Sequence, residues 1–231
     1  MTFCSKNRLF EIFNGKNVAI VGSGPGSLSN ESGFVDSHDV VVRVNNYKLI
    51  GTAGKRADVH YSFYGNSILK TQKELIEDGV YLCMCKCPDA KFMESRWHEM
   101  RHKHSGVDFR YIYELRKDFW FTDTYIPTID EFLEQFNLLG RHVPTTGFSA
   151  ILDVLKYSPK SIYITGFDFF QSKVHNVNER WRRNNPSDPI GHRPEMEFEW
   201  LRKNYAKHNM TLDKKLMAMV KLKNKAPNYG Y

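Results

Sequence analysis

Short apolar runs alternate with amphipathic stretches along most of the chain. NVAIVG at 17–22 is an apolar run ending in a glycine-rich turn, DVVVRVN at 39–45 is dense in β-branched residues, and DVHYSF at 58–63 has the same character. Each predicts a buried strand. A helical stretch near 67–78 leads into GVYLCMCKC, and the polar amphipathic stretch 89–104 leads into VDFRYIY. TIDEFLEQFNLLG carries a Thr N-cap, early acids and a terminal glycine, which is helix punctuation. TTGFSAILDVLKY predicts another helix and KSIYITGF a buried strand. The chain closes with an amphipathic helix in EMEFEWLRKNYAKH, a second helical stretch near 211–223 and a basic tail. Strands spaced by helices imply βαβ units: an α/β fold with a mostly parallel sheet and helices on both faces. The stretch 171–191 breaks the rhythm, being polar and rich in Asn and Pro, and predicts a long loop of the lid or binding type.

Length and composition narrow the class. The 231 residues suit a single domain over 1–231, and 41% hydrophobic with 26% charged residues leave disorder, collagen-like and coiled-coil readings without support. Lys and Arg outnumber Asp and Glu by 33 to 26, a net charge of +7 that favours anionic partners such as nucleotides, acidic glycans, nucleic acid or a membrane surface touched peripherally. No apolar run approaches the eighteen or so residues of a bilayer span, and the start lacks the apolar centre of a signal peptide. Cys83, Cys85 and Cys87 alternate along one strand side, where same-face neighbours seldom meet disulfide geometry. Reduced thiols and a cytoplasmic compartment are expected.

Three motifs offer chemistry individually. The turn Gly22-Ser23-Gly24-Pro25-Gly26-Ser27 follows a strand as a phosphate-binding loop does, because glycine lets backbone approach a ligand. The dinucleotide fingerprint fails, since Ser27 stands where a third glycine is expected and strand two ends in Arg43 and Asn45 where an NAD site wants an acid. An NADP-binding oxidoreductase using Arg43 as phosphate partner, or a non-catalytic nucleotide-binding module, remains the alternative. His98-Glu99-Met100-Arg101-His102 matches H-E-x-x-H of zinc hydrolases, but Ser105 and Asp108 occupy the positions where the extended signature needs Gly and His. A solvated basic face explains it better, and no metal site is assigned. WRR at 181–183 and the lysine-rich tail accompany no nucleic-acid-binding module, so no nucleic-acid partner is expected.

Taken together, four segments carry a resemblance that none carries alone. VAIVGSGPGSL followed by VDSHDVVVRVNN and GTAGKRADVHYSF resembles the large sialylmotif of the sialyltransferases. PTTGFSAILDVL with SIYITGFDFF resembles the small sialylmotif, KVHN places His175 at the histidine of the short third motif, and His192 with Glu197 reproduces the H-x-x-x-x-E of the very small motif. The match covers most of 17–204, with 64–140 poorly constrained. It departs from the family at Val18 and around Ser158, where secretory-pathway members carry bridged cysteines, and at Ser23, where Gly-Asn is usual.

The resemblance implies a modified Rossmann-like, GT-A-like domain that moves sialic acid, or a related nonulosonate or Kdo, from a CMP-activated donor to a sugar hydroxyl. Transfer would be inverting and metal-independent, with no cofactor, since the CMP-sugar is a substrate, and with a glycan or glycolipid as acceptor. His192 would be the base, because imidazole titrates near neutrality. His175 would stabilise the leaving phosphate. Gly22, Ser23, Gly24, Asn45, Thr145, Thr146, Gly147, Gly166, Phe167 and Asp168 would surround the nucleotide sugar. Asp36 and Asp39 are read as turn caps or partners of Arg43, and Glu197 as helix first-turn charge ahead of any chemical role.

Overall fold

A computed structural model of the chain describes residues 3–64, 70–88, 122–170 and 192–222. Among these residues, seven strands form one parallel sheet in the order β5-β4-β3-β2-β1-β6-β7. They are β1 Asn17–Val21, β2 Val40–Val44, β3 Val59–Ser62, β4 Leu82–Cys85, β5 Asp123–Tyr125, β6 Ser161–Thr165 and β7 Met210–Leu212. The register at the centre pairs Val18 with both Val40 and Ile162. Central parallel strands are covered on both faces, which is why they read as unbroken apolar runs.

Strand alternation divides these runs between two cores. Val18 and Ile20, Val40, Val42 and Val44, Val59 and Tyr61, Leu82 and Met84, and Ile162 and Ile164 join the larger cluster on one face. Against them pack α1 (Lys6–Phe13), α4 (Thr146–Leu155), α5 (Pro194–Asn204) and α6 (Lys214–Lys221), through Leu9, Ile151, Leu201 and Leu216 among others. The opposite face is split. Ala19, Val21, Val41 and Tyr163 meet Val35 of a 3-10 turn, while Cys83 and Cys85 meet Leu75 of α2 (Gln72–Glu77). Tyr61 Oη donates to Asp153 Oδ2 at 2.5 Å and fastens α4 to β3.

Capping chemistry sets the helix starts. Thr71 with Glu74 and Thr128 with Glu131 form capping boxes at α2 and α3 (Ile129–Leu138). Thr145 and Asp213 cap α4 and α6, and Pro194 opens α5 at a position where its missing N–H is no loss. The stretch expected to be helical near 211–223 begins instead with β7 and turns helical only after Asp213. The expected strand VDFRYIY, the loop 171–191 and the H-E-x-x-H segment lie outside the described residues. All four cysteines are buried free thiols. No described helix is long and apolar enough to cross a membrane.

The strand order reverses at β1. The chain steps outward from β1 to β5 on one side, then returns to place β6 and β7 on the other. In an open α/β sheet, ligands bind beyond the strand ends at such a reversal. The segments leaving β1, β2 and β6 therefore define the candidate site.

Candidate functional site

Two backbone segments cross in contact at the reversal. Gly22 N donates to Thr165 O and Gly24 N to Gly166 O, both at 2.8 Å. A β-carbon on Gly22 would lie 2.5 Å from Gly166 O, and one on Gly166, whose φ is +75°, would lie 2.5 Å from Gly22 O. These glycines are required by each other. Their amides are spent on the crossing, whereas Ser23 between them makes no hydrogen bond among the described residues. The Phe167 ring lies against Gly22 and Gly147, and a side chain on Gly147 would collide with it.

The β6 exit is braced from below. Asp213, 2% exposed, accepts from Thr165 Oγ1 at 3.0 Å, from Gly166 N at 2.9 Å and from Leu216 N at 2.8 Å. One carboxylate thus caps α6 and holds the crossing. Beyond it the chain is tightly coiled: Phe169 and Phe170 have φ of 49° and 62°, and Asp168 Oδ1 accepts from Phe170 N at 3.1 Å.

At the end of β2, Arg43 is fully buried. Its Nε and Nη1 donate to Arg56 O at 2.8 Å and Ala53 O at 2.7 Å, and burial pulls its pKa down to about 10 against the opposing field of Asp36. Two of its guanidinium nitrogens are thus committed to loop carbonyls, while Nη2 has no hydrogen-bond partner among the described residues. Asp36 accepts from Lys55 N and Arg56 N, and Asp39 from Asn17 N and Nδ2, so both acids tie loops. Between this loop and the glycine turn lies a small cleft bordered by Ser23, Ser27, Arg43, Tyr47, Lys48 and Ile50. Asn45, half-buried with φ of 53°, follows the end of β2, two residues before the Tyr47 that lines the cleft.

The start of α4 brings the remaining residues together. Thr145 Oγ1 accepts from Phe148 N at 3.2 Å, while Thr145 N and Oγ1 donate to the two oxygens of Glu197 at 2.6 and 2.7 Å. Glu197, 1% exposed and in the first turn of α5, braces the start of a different helix, α4. The amides of Thr146 and Gly147 have no partner among the described residues and sit at the positive end of α4. His192 Nδ1 lies 2.5 Å from Val143 O, two residues before the N-cap. A carbonyl only accepts, so Nδ1 carries the proton and Nε2 is the basic nitrogen.

The predicted residues therefore form a linked set. Gly22 and Gly24 meet Gly166, Phe167 meets Gly147, and Thr145 and Val143 meet Glu197 and His192. His175, His98 and His102 lie outside the described residues. Among the described residues no group of three His, Cys, Asp or Glu could hold a metal ion. Sequence reasoning missed Asp213, for which an acid immediately before an amphipathic stretch was an available N-cap signal. It also missed His60, a lone imidazole in an apolar strand.

No protein-family model matches the sequence, and no curated protein does. Solved structures do match in three dimensions. The sialyltransferase CstII from Campylobacter jejuni, in complex with the substrate analogue CMP-3FNeuAc, matches over 88% of this chain and 83% of its own, at 17% identity and TM-score 0.52. The monofunctional alpha-2,3-sialyltransferase Cst-I of the same organism matches over 92% and 78%, at 16% identity and TM-score 0.54. A mammalian sialyltransferase in complex with Gal-beta-1-3GalNAc-ortho-nitrophenol matches over 88% and 76%, at 16% identity and TM-score 0.53. With its parallel sheet reversing at β1, the chain has the Rossmann-like fold of these sialyltransferases.

Proposed function

We propose that the chain is a glycosyltransferase that moves sialic acid, or a related nonulosonate such as Kdo, from its CMP-activated donor to a sugar hydroxyl, with inversion and without a metal. The observation that carries this reading is His192, whose protonated Nδ1 is held by Val143 O beside the open N-terminus of α4. The fold shared with proteins solved with CMP, with CMP-3FNeuAc and with a Gal-beta-1-3GalNAc glycoside supports it.

In the proposed step His192 Nε2 removes the proton of the acceptor hydroxyl as its oxygen attacks the anomeric carbon from the face opposite CMP. The new glycosidic bond forms, the bond from anomeric carbon to phosphate oxygen breaks, and CMP leaves with the electron pair. Ser23, the Asn45 amide and the N–H groups of Thr146 and Gly147 supply donors for nucleotide and sugar oxygens. The third-motif histidine, His175, is assigned to the leaving phosphate. Reducing, cytoplasmic surroundings belong to the same reading: burial raises the Cys83 and Cys87 thiols to about 11, which keeps them protonated.

The test is calorimetric titration with CMP in excess EDTA, followed by His192→Ala. Saturable CMP binding is expected in both proteins, with transfer from CMP-sialic acid or CMP-Kdo reduced by about 10²-fold or more in the variant. Wild-type protein that ignores CMP would refute the reading, and transfer retained by His192→Ala would remove the histidine from the base role.

A further inference from the structure

The hydrogen bonds around Asn45 lead to a fully buried imidazole that the proposed chemistry leaves unused. Asn45 adopts a left-handed backbone, φ 53°, which costs a residue with a β-carbon about 1 kcal/mol and has to be held. Its N donates to Tyr61 O at 3.0 Å, and its carbonyl accepts from Tyr47 N at 3.1 Å and from His60 Nε2 at 2.9 Å. Ser62 Oγ donates to Asn45 Oδ1 at 3.2 Å and itself accepts from Tyr64 N at 3.3 Å. With Oδ1 accepting from Ser62, the two Nδ2 hydrogens have no partner among the described residues.

His60 is 0% exposed. Because the Asn45 carbonyl can only accept, Nε2 carries the ring proton, and bare Nδ1 lies 3.0 Å from Tyr64 Oη. Burial lowers the pKa of the ring to about 4, with Lys70 acting in the same direction and the Asn45 carbonyl and Asp78 opposing. The alternating pattern of β3 would accept an apolar side chain here at no desolvation cost. The cost of a dry polar ring is offset only by its bonds.

We propose that His60 is a positioning residue for the nucleotide-sugar site: its Nε2–H pins the Asn45 carbonyl, holds the left-handed turn and so presents the Asn45 side-chain N–H groups to the ligand. The inference rests on the reading of the crevice as a CMP-sugar site. Removal of the pin lets the turn relax while leaving the strand in place. The effect therefore falls on affinity as well as on stability.

CMP titration of wild type, His60→Gln, His60→Asn and His60→Leu tests it. The Gln amide reaches the place of Nε2 and the Asn amide does not, so affinity within about threefold of wild type is expected for Gln and a loss of about tenfold for Asn and Leu. Asn45→Ala should weaken binding in wild type and add little in His60→Leu. Wild type that fails to bind CMP removes the site reading itself. Binding by wild type together with unchanged affinity in His60→Leu, equal losses in Gln and Asn, or additive losses in the double variant overturns the role of His60. Nitrogen-15 NMR of wild type decides the matter without a variant. The Nε2–H tautomer is expected between pH 5 and pH 8, with Asn45 side-chain resonances that move on CMP saturation; an Nδ1–H tautomer or unmoved Asn45 resonances would overturn the proposal.

Discussion

Replacement of Gly26 by alanine tests how the crossing at the sheet reversal is braced. An added β-carbon would lie 2.5 Å from Asp213 Oδ2 and 3.1 Å from Asp213 Cγ, inside any real contact distance. The carboxylate cannot swing aside freely, because Oδ2 holds Thr165 Oγ1 and Gly166 N and Oδ1 holds Leu216 N. Each bond to a charged acceptor is worth roughly 1.5–3 kcal/mol net. The alternative is to push the Pro25–Ser29 turn outward, an overpacking cost of roughly 1–3 kcal/mol. The cheaper route governs, so Gly26→Ala should destabilise by about 1–3 kcal/mol. Asp213→Ala strands the Gly166 amide, leaves the Thr165 hydroxyl only its contacts with the Asn30 amide, and removes the α6 cap, for about 3–4 kcal/mol. In the double variant the new methyl enters the space the carboxylate vacated, and the total should fall short of the sum by at least about 1 kcal/mol. Urea unfolding with a common slope measures all three differences. Additivity within about 0.5 kcal/mol, or Gly26→Ala as stable as wild type, would refute the bracing argument.

Two further outcomes follow from buried ionisable groups. His60 titrates at about 4 in the folded protein and near 6.5 when unfolded, so the unfolded chain takes the proton first as pH falls. Its contribution is complete above pH 6.5 and is lost between about 6.5 and 4, about 3 kcal/mol in all. For Glu131, burial alone would raise the carboxyl, but bonds from Thr128 N, Lys6, Tyr125 and the Thr128 side chain hold it down to about 2, so its share is lost only from about pH 4.5 to 2. The urea midpoint should therefore already fall between pH 7 and pH 5 in wild type and stay nearly level in His60→Gln; a level wild-type profile refutes this. Glu197→Gln keeps an acceptor for Thr145 N and should retain transfer within about tenfold, while Glu197→Ala strands that amide and costs about 2–3 kcal/mol. A loss of transfer above about 10³-fold in Glu197→Gln, measured by product formation, would make the carboxylate a reacting group.

The strands that were legible are those buried on both faces. β1, β2, β3, β4 and β6 announce themselves as apolar runs, whereas β5 and β7 have three residues each and show no period. β7 merges in sequence with the helix after it because Leu212 continues the four-residue apolar spacing of Leu216 and Val220. Glycine in the first turn correctly signalled close approach at Gly22 and Gly24, but a sequence does not say what approaches. Among the described residues the approaching atoms belong to Gly166 of this same chain. Arg43 shows the same limit, since its partners Ala53 and Arg56 are loop carbonyls with no signature of their own. The places of His192 and Thr145 came from likeness to a family, and their contacts with Val143 and Glu197 became visible only in three dimensions. His60 and Asp213 escaped because their partners are set by register across the sheet, 15 and 47 residues away.

The pairing of β1 with β6 also constrains the order in which the molecule can be made. Asn17 and Ser161, neighbours across that seam and joined by a side-chain bond of 2.8 Å, are 144 residues apart in the chain. Closing so long a loop costs entropy before any contact returns it, and topologies dominated by distant parallel pairings fold slowly. On the ribosome, β1 to β5 can be synthesised and begin to pair while the central strand still has one open side. The crevice comes into existence only when β6 has emerged and filled that side. The crevice is thus a late arrival in the life of each chain, and the hydrogen-bonding groups along the open side of β1 are what the nascent protein must keep from other partners until then.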